Sequence, residues 1–294
     1  MAGADTMSDG NFVQLSADFR VDAAFEKAFR QMGLTSIDAI FAFEGGRNLS
    51  KANLAEHRSR VRFEIANPRA ALFLKRYDNV PALAQIKNWL GHRRTASTMF
   101  YDLDAAQKLA DAGINTPGPV CYGSEWGLFF EKRSFIVTKQ IPGESLERTL
   151  PPCFNKLTTN EHKLTLITLK ERRRFIKSLA EFARKFHNTG YRHRDFYFAH
   201  IFHHNGDFYL IDLQRAFKPL LSSERFRIKD IAQLSYSAPK KYFSRTDRLR
   251  FYLAYRDKKR LEQNDKSFIR AVVRKMSQMA EHDRKHNRVI PYEN

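Results

Sequence analysis

The stretch Tyr191–Phe202, YRHRDFYFAHIF, constrains this chain more than any other. It holds His193-Arg194-Asp195, and Asp212 follows 17 residues after Asp195, in YLIDLQRA. Two aspartates so placed suit complementary tasks. One orients and deprotonates an attacking hydroxyl, and the other holds a divalent cation, which wants hard oxygen ligands. Asp195 is the candidate base and Asp212 the candidate metal ligand, with His193 and Arg194 completing the tripeptide. His200 is either a further metal ligand or a hydrogen-bonding brace for the loop. The alternative is a chance tripeptide in a basic protein. The flanks argue against it: a helix precedes the loop, and a short apolar strand, Phe208–Leu213, carries Asp212 at its end.

Charge is the compositional anomaly. The chain of 294 residues has a net charge of +19. Such a surface attracts polyanions, whether nucleic acid, anionic lipid or a phosphorylated glycan, and charge alone does not choose among them. No run of 18 apolar residues exists, so no membrane-spanning helix is expected. The polar start, MAGADTMSDG, has no apolar signal core, and two cysteines, Cys121 and Cys153, make no disulfide framework. A reducing cytoplasm is the expected setting. His200, His203 and His204 lack the spacing of a helical zinc site.

In chain order, residues 21–33 have helical spacing, with Val21, Ala24, Phe25, Ala28, Phe29 and Met32 on one face and Gly33 as a stop. Residues 47–77 read as a β-meander: Arg58–Ile65 alternates, Asn67-Pro68 turns, and Ala70–Tyr77 is a buried strand bearing Lys75. A lysine there either reaches the phosphates of a nucleotide or snorkels from an edge strand. A phosphate-covering loop belongs at Ser50–Arg58, which has no glycine, so its amides, Lys51 or Arg58 must do that work. A helix over Pro81–Leu90 leads to the basic segment His92-Arg93-Arg94. The helix over 99–112 offers Asp102 and Asp104. Asp102 has the better register to pair with Lys75, and a solvated helix acid is the alternative. Val120–Phe130 and Ser134–Gln140 read as a hairpin. The buried stretch Phe135-Ile136-Val137-Thr138 leads into Lys139-Gln140-Ile141-Pro142-Gly143, which has the character of a hinge, where adenine meets backbone groups.

Residues 143–170 read as irregular, with Pro151-Pro152 stopping any helix. The helix over 171–189 has a basic start, KERRR, which is either a solvated face or a site for an anionic acceptor. Arg215 contacts phosphate or locks the loop. In the helix Phe226–Ala238, Asp230 sits where a buried acid can brace the backbone of His193-Arg194-Asp195. Two basic helices, over 246–261 and 265–285, complete the chain.

At HRDFYFAHIF and YLIDLQRA the sequence resembles the lipopolysaccharide core kinase (Kdo/WaaP) group of the protein-kinase-like superfamily. His193, Arg194, Asp195, Tyr197, His200, Asp212, Leu213 and Arg215 carry the likeness. LFLKRY around Lys75, AGINTP around Gly113 and KDIAQLSYSA around Asp230 extend it across about residues 47–260. The glycine-free loop at 50–58 and Asp102 in place of the usual glutamate depart from the pattern. The resemblance implies an α+β, two-lobed protein-kinase-like fold. It would comprise an N-terminal extension with a short helix (1–36), a small β-rich N-lobe (37–140) and a larger helical C-lobe (141–294). It also implies ATP and Mg2+ as cofactors, with Lys75, Asp102, Lys51, Thr138 and Gln140 toward the nucleotide and Asp212 and His200 toward the metal. Asp195, Arg194, His193 and His200 would serve catalysis, and Arg215 and Tyr197 the substrate. The expected reaction is phosphorylation of a heptose or 3-deoxy-manno-octulosonate hydroxyl on the lipopolysaccharide inner core. The expected place is the cytoplasmic face of the inner membrane, with the protein held peripherally at its anionic surface and with no specific nucleic-acid partner. Two other functions remain open: a kinase for a protein or another small hydroxyl compound, and a non-catalytic polyanion-binding relative.

Overall fold

The computed structural model describes residues 11–49, 57–154 and 169–293. The chain divides into two compact units. One runs to Asp111 and takes in Thr116–Ile141 and Asp212–Gln214; the other takes Ala112–Asn115, Pro142–Ile211 and everything from Arg215.

The first unit contains, in order, β1 (Phe12–Ser16), β2 (Phe19–Asp22), α1 (Glu26–Gln31), α2 (Ile37–Ala42), β3 (Arg47–Asn48), β4 (Arg58–Ile65) and β5 (Ala70–Asp78). α3 (Ala82–His92), α4 (Thr98–Asp111), β6 (Pro119–Trp126) and β7 (Glu131–Lys139) follow. The strands form one sheet in the order β1-β2-β6-β7-β5-β4-β3, and every pairing in it is antiparallel. The period of two along a strand decides which side chain meets which layer. On β5, Leu72 and Leu74 enter a core with Phe29 of α1 and Ile40 of α2. Burying each stabilises by about 2 kcal/mol. Tyr77 points to the other face and joins a second core with Met99, Phe100 and Leu103 of α4. Lys75 shares the Tyr77 face, and this is why it meets α4.

The helical spacing of 21–33 misled over its first residues. Val21 belongs equally to a period-two series with Phe19, and both are fully buried. Their strand, β2, pairs with β6 through Val21 and Cys121, so helix begins only at Glu26.

The second unit holds β8 (Glu144–Ser145), α5 (Leu146–Phe154), α6 (Leu169–Asn188), β9 (Ile201–His204), β10 (Asp207–Leu210), α7 (Ser223–Tyr236), α8 (Arg245–Arg256) and α9 (Gln263–Lys285). Asn205 and Gly206 both have positive φ, 48° and 92°, and form the tight turn between β9 and β10. α5 runs through Pro151-Pro152, where the sequence reading had stopped it. Proline has a helix-compatible φ, so the pair can continue the last turn of this short helix, at the cost of the ladder hydrogen bonds that their missing N–H groups would make. α6 ends before Gly190, at φ 86°, and hands the chain to the loop that carries Asp195. Among the described residues, no helix is long and apolar enough to cross a membrane.

Candidate active site

In the first unit the site is built around Lys75. A buried cap fixes the start of α4: the Thr98 amide donates to Glu131 Oε2 at 2.6 Å, and the Thr98 hydroxyl donates to the same oxygen at 2.7 Å. Asp102 lies one turn on, with only 7% of its side chain exposed, and accepts a hydrogen bond from Lys75 Nζ through Oδ2. Its other oxygen, Oδ1, accepts from the Leu213 amide at 3.2 Å. Burial works to lower the Lys75 ammonium, but Asp102, with Asp212 helping, outweighs it and holds the group above its ordinary range. Asp212 has φ 59° and accepts from Arg60 at 3.4 Å. Asp104, the other acid of the helix, turns outward to Lys108 at 2.9 Å.

The residues present fit a magnesium nucleotide. No group of three or more His, Cys, Asp or Glu side chains gathers to hold a metal among the described residues. Magnesium needs no such cage: it commonly takes one or two carboxylates and fills its shell with phosphate oxygens and water. Asp212, about 30% exposed, is a carboxylate of that kind beside a lysine able to meet phosphate.

In the second unit the loop from Tyr191 to His200 is braced at nearly every backbone group. Asp230 of α7, fully buried, accepts from the amides of His193 at 2.8 Å and Arg194 at 2.9 Å. Three residues on, Gln233 accepts from the Phe196 amide at 3.0 Å and donates to the Arg194 carbonyl at 2.7 Å. Ser237 then accepts from the Phe198 amide at 3.0 Å. Positions 230 and 233 of α7 and Ser237, its C-cap, follow helical spacing, so this end of the helix presents a polar edge cut to this loop. The strain of Arg194 at φ 71° is held in place by these bonds.

The histidines are fixed by their partners. His193 Nε2 faces the Ile211 carbonyl at 3.0 Å and must donate; its Nδ1 then accepts from the Asp195 amide at 3.3 Å. Burial lowers the His193 imidazole below its ordinary value, which keeps it in this neutral form. His187 is lowered by burial as well, and lies between Asp230, at 3.3 Å, and the Tyr255 hydroxyl, at 2.8 Å. Burial also works to raise the Asp230 carboxyl, but His187 and the loop amides outweigh it and leave it below the usual range. His200 Nδ1 donates to the Asp195 carbonyl at 2.7 Å. Of its two expected roles, the brace is the one this contact makes.

The carboxylate of Asp195 is held by Arg215, whose Nη1 lies 3.0 Å from Oδ1 and 2.8 Å from Oδ2. Tyr197 is half-buried with its ring edge-on to His200. Lys51 lies outside the described residues. Thr138 is a buried residue of β7, paired with Phe73 and Pro119. The Gln140 amide, expected as a hinge group, already donates to the Ala71 carbonyl at 2.9 Å, and its side-chain oxygen accepts from Arg62 at 3.1 Å. A strand-end amide is consumed by sheet pairing before it can serve a ligand. Gln233, Ser237 and Arg60 are functional candidates that sequence reasoning missed. The signal for the first two was polar side chains at helical spacing from Asp230.

Three comparisons bear on this geometry. The family model described as "Lipopolysaccharide kinase (Kdo/WaaP) family" matches residues 53–255. A lipopolysaccharide core heptose(I) kinase WaaP from Pseudomonas aeruginosa is 31% identical over 166 residues, covering 51% of this chain and 56% of that protein. The Escherichia coli protein of the same name is 28% identical over 215 residues, covering 68% of this chain and 75% of its own length. The chain thus spans little more than half of the first relative and three-quarters of the second. A solved structure, "WaaP in complex with acyl carrier protein", is similar with a TM-score of 0.59 at 24% identity, over 86% of this chain and 95% of that one. This likeness shows that the fold is kinase-like.

Proposed function

We propose that this chain, which belongs to the lipopolysaccharide kinase (Kdo/WaaP) family, transfers a phosphoryl group from ATP to a sugar hydroxyl of the lipopolysaccharide inner core. The observation that carries the reading is Asp195, a carboxylate oriented by Arg215 at 2.8 Å on a loop clamped by Asp230. Asp195 accepts the proton of the acceptor hydroxyl as the oxygen attacks, which contributes about 10²–10⁴-fold in such reactions. Arg215 keeps the carboxylate turned toward that proton. His193 and His200 hold the backbone on which it rides, and Tyr197 offers an aromatic face to the sugar. Asp212 would hold the magnesium of a bound ATP, and Lys75, kept charged and oriented by Asp102, would meet its phosphates; the nucleotide would supply the phosphoryl group and the metal the charge that offsets it.

Heptose is the favoured acceptor over 3-deoxy-manno-octulosonate, because both bacterial relatives are named heptose(I) kinases. On this reading the chain works at the cytoplasmic face of the inner membrane, where its net charge of +19 favours anionic head groups. The test is phosphate transfer to two purified cores, one ending at 3-deoxy-manno-octulosonate and one bearing the first heptose. Labelling of the second alone supports heptose. Labelling of the first assigns the other sugar, and labelling of neither overturns the acceptor.

A further inference from the structure

α3 is amphipathic in the wrong sense for a helix of a sheet-packed unit. Its inward polar residue, Gln85, is 2% exposed and ties α3 down by donating to the carbonyls of Val80 and Glu131, both at 2.9 Å. Its outward face carries Leu83, Ile86 and Leu90, exposed by 81%, 38% and 75%. Their spacing of three and four residues makes one stripe. The turn between β6 and β7 adds Leu128 and Phe129, exposed by 89% and 73%. Stacked rings join the two elements: Trp89 lies 5.5 Å from Phe130 and 6.4 Å from Trp126. These are the only two tryptophans in the sequence. Exposed cations border the stripe, with Lys87 on α3 and Arg93 at its end; Lys132, beyond the turn, is exposed as well and pairs with Glu125 at 3.3 Å.

We propose that this surface of the first unit is a membrane-docking patch that seats Leu83, Leu90, Leu128 and Phe129 in the interfacial layer of an anionic bilayer. Isolated exposed leucines are ordinary, but a contiguous apolar stripe backed by stacked tryptophans is not. Indole rings prefer the head-group level, where one side is apolar and the other wet. Apolar insertion and cationic attraction together are the two signals that make interfacial binding stable. Lys87 and Arg93, exposed along the stripe, supply the cationic attraction that an anionic lipid surface adds to apolar insertion. The inference rests on the reading that the acceptor is a glycolipid, but its test does not depend on turnover.

The experiment uses the full chain and vesicles of phosphatidylethanolamine with phosphatidylglycerol, against vesicles of phosphatidylcholine alone. Co-sedimentation gives the partition, and tryptophan emission reports on the patch directly because both indoles lie in it. Wild type is expected to bind the anionic vesicles with a blue shift. Leu128→Ser with Phe129→Ser, and separately Leu83→Ser with Leu90→Ser, should each lower the partition by about tenfold. Leu220→Ser with Leu221→Ser, which removes two exposed leucines from the second unit, should leave it unchanged. All the substituted side chains are exposed, so thermal transitions should match wild type. Binding that the patch variants leave intact, or that the Leu220/Leu221 variant weakens equally, overturns the proposal. So does a wild type that ignores vesicles but self-associates through the patch, seen as a mass that falls in the patch variants. Transfer to detergent-dispersed lipopolysaccharide separately tests the acceptor reading.

Discussion

The Leu213 amide donates to one carboxylate oxygen of Asp102 at 3.2 Å, while the other oxygen holds Lys75. One short acid thus ties the strand lysine to the segment that begins at Asp212. A glutamate would carry its carboxylate one methylene farther from α4. Here the Glu131 cap draws the start of α4 against β7, and aspartate suffices.

Asp102→Ala should therefore cost more than an ordinary helix substitution. It leaves the Lys75 ammonium buried without its partner and the Leu213 amide without an acceptor. Breaking a buried pair in this way costs about 3–5 kcal/mol. Urea denaturation should show that loss, and Asp102→Asn should recover the amide contact but not nucleotide affinity.

Gln233 closes two backbone groups of the Asp195 loop at once, the Phe196 amide and the Arg194 carbonyl. Gln233→Ala strands both, at about 1–3 kcal/mol each. A stable but loosened loop should lower kcat more than it raises KM for ATP. Steady-state kinetics beside a melting curve separates the two effects.

Arg215 reaches both oxygens of Asp195 through a single nitrogen, not through a two-pronged fork. The point charge of lysine can imitate such a contact, whereas the full guanidinium fork is beyond it. Arg215→Ala should cut kcat by about tenfold, and Arg215→Lys should restore most of it. Equal losses in both would assign the guanidinium to phosphate instead.

Stability should fall with acid. Burial holds His187 and His193 below their ordinary value of 6.5. Below that pH the unfolded chain binds protons that the folded chain refuses, so the unfolded state gains. Asp230, held below 3.8, adds a loss of the same sign farther down. Urea midpoints should be level above about pH 7 and drop from about pH 6.5 downward, with a shallower slope in His193→Gln.

Much of this site was legible because its groups have distinctive chemistry at fixed places in simple patterns. Lys75 was visible as the one lysine in an apolar strand, and Asp230 as an acid among inward-facing residues. Gln233 and Ser237 were not, since an uncharged polar residue on a helix looks like surface until a partner is seen. Arg60 merged into an alternating row of arginines whose outward face gave no reason to single one out. The opening strands were hidden by Val21, which serves two periodicities at once. The exposed stripe of α3 escaped because apolar helical spacing reads as a buried face. Only the position of Gln85 reveals which side is inward.

The most direct measurement is phosphate transfer from labelled ATP with magnesium to heptose-bearing rough lipopolysaccharide, comparing wild type with Asp195→Ala. The expected result is label on the glycolipid with wild type and a loss of about 10²–10⁴-fold in the variant, whose melting transition stays close to that of wild type. Transfer that survives the substitution, or wild type that neither binds nor turns over ATP, would contradict the assignment of Asp195 as the base of a sugar kinase.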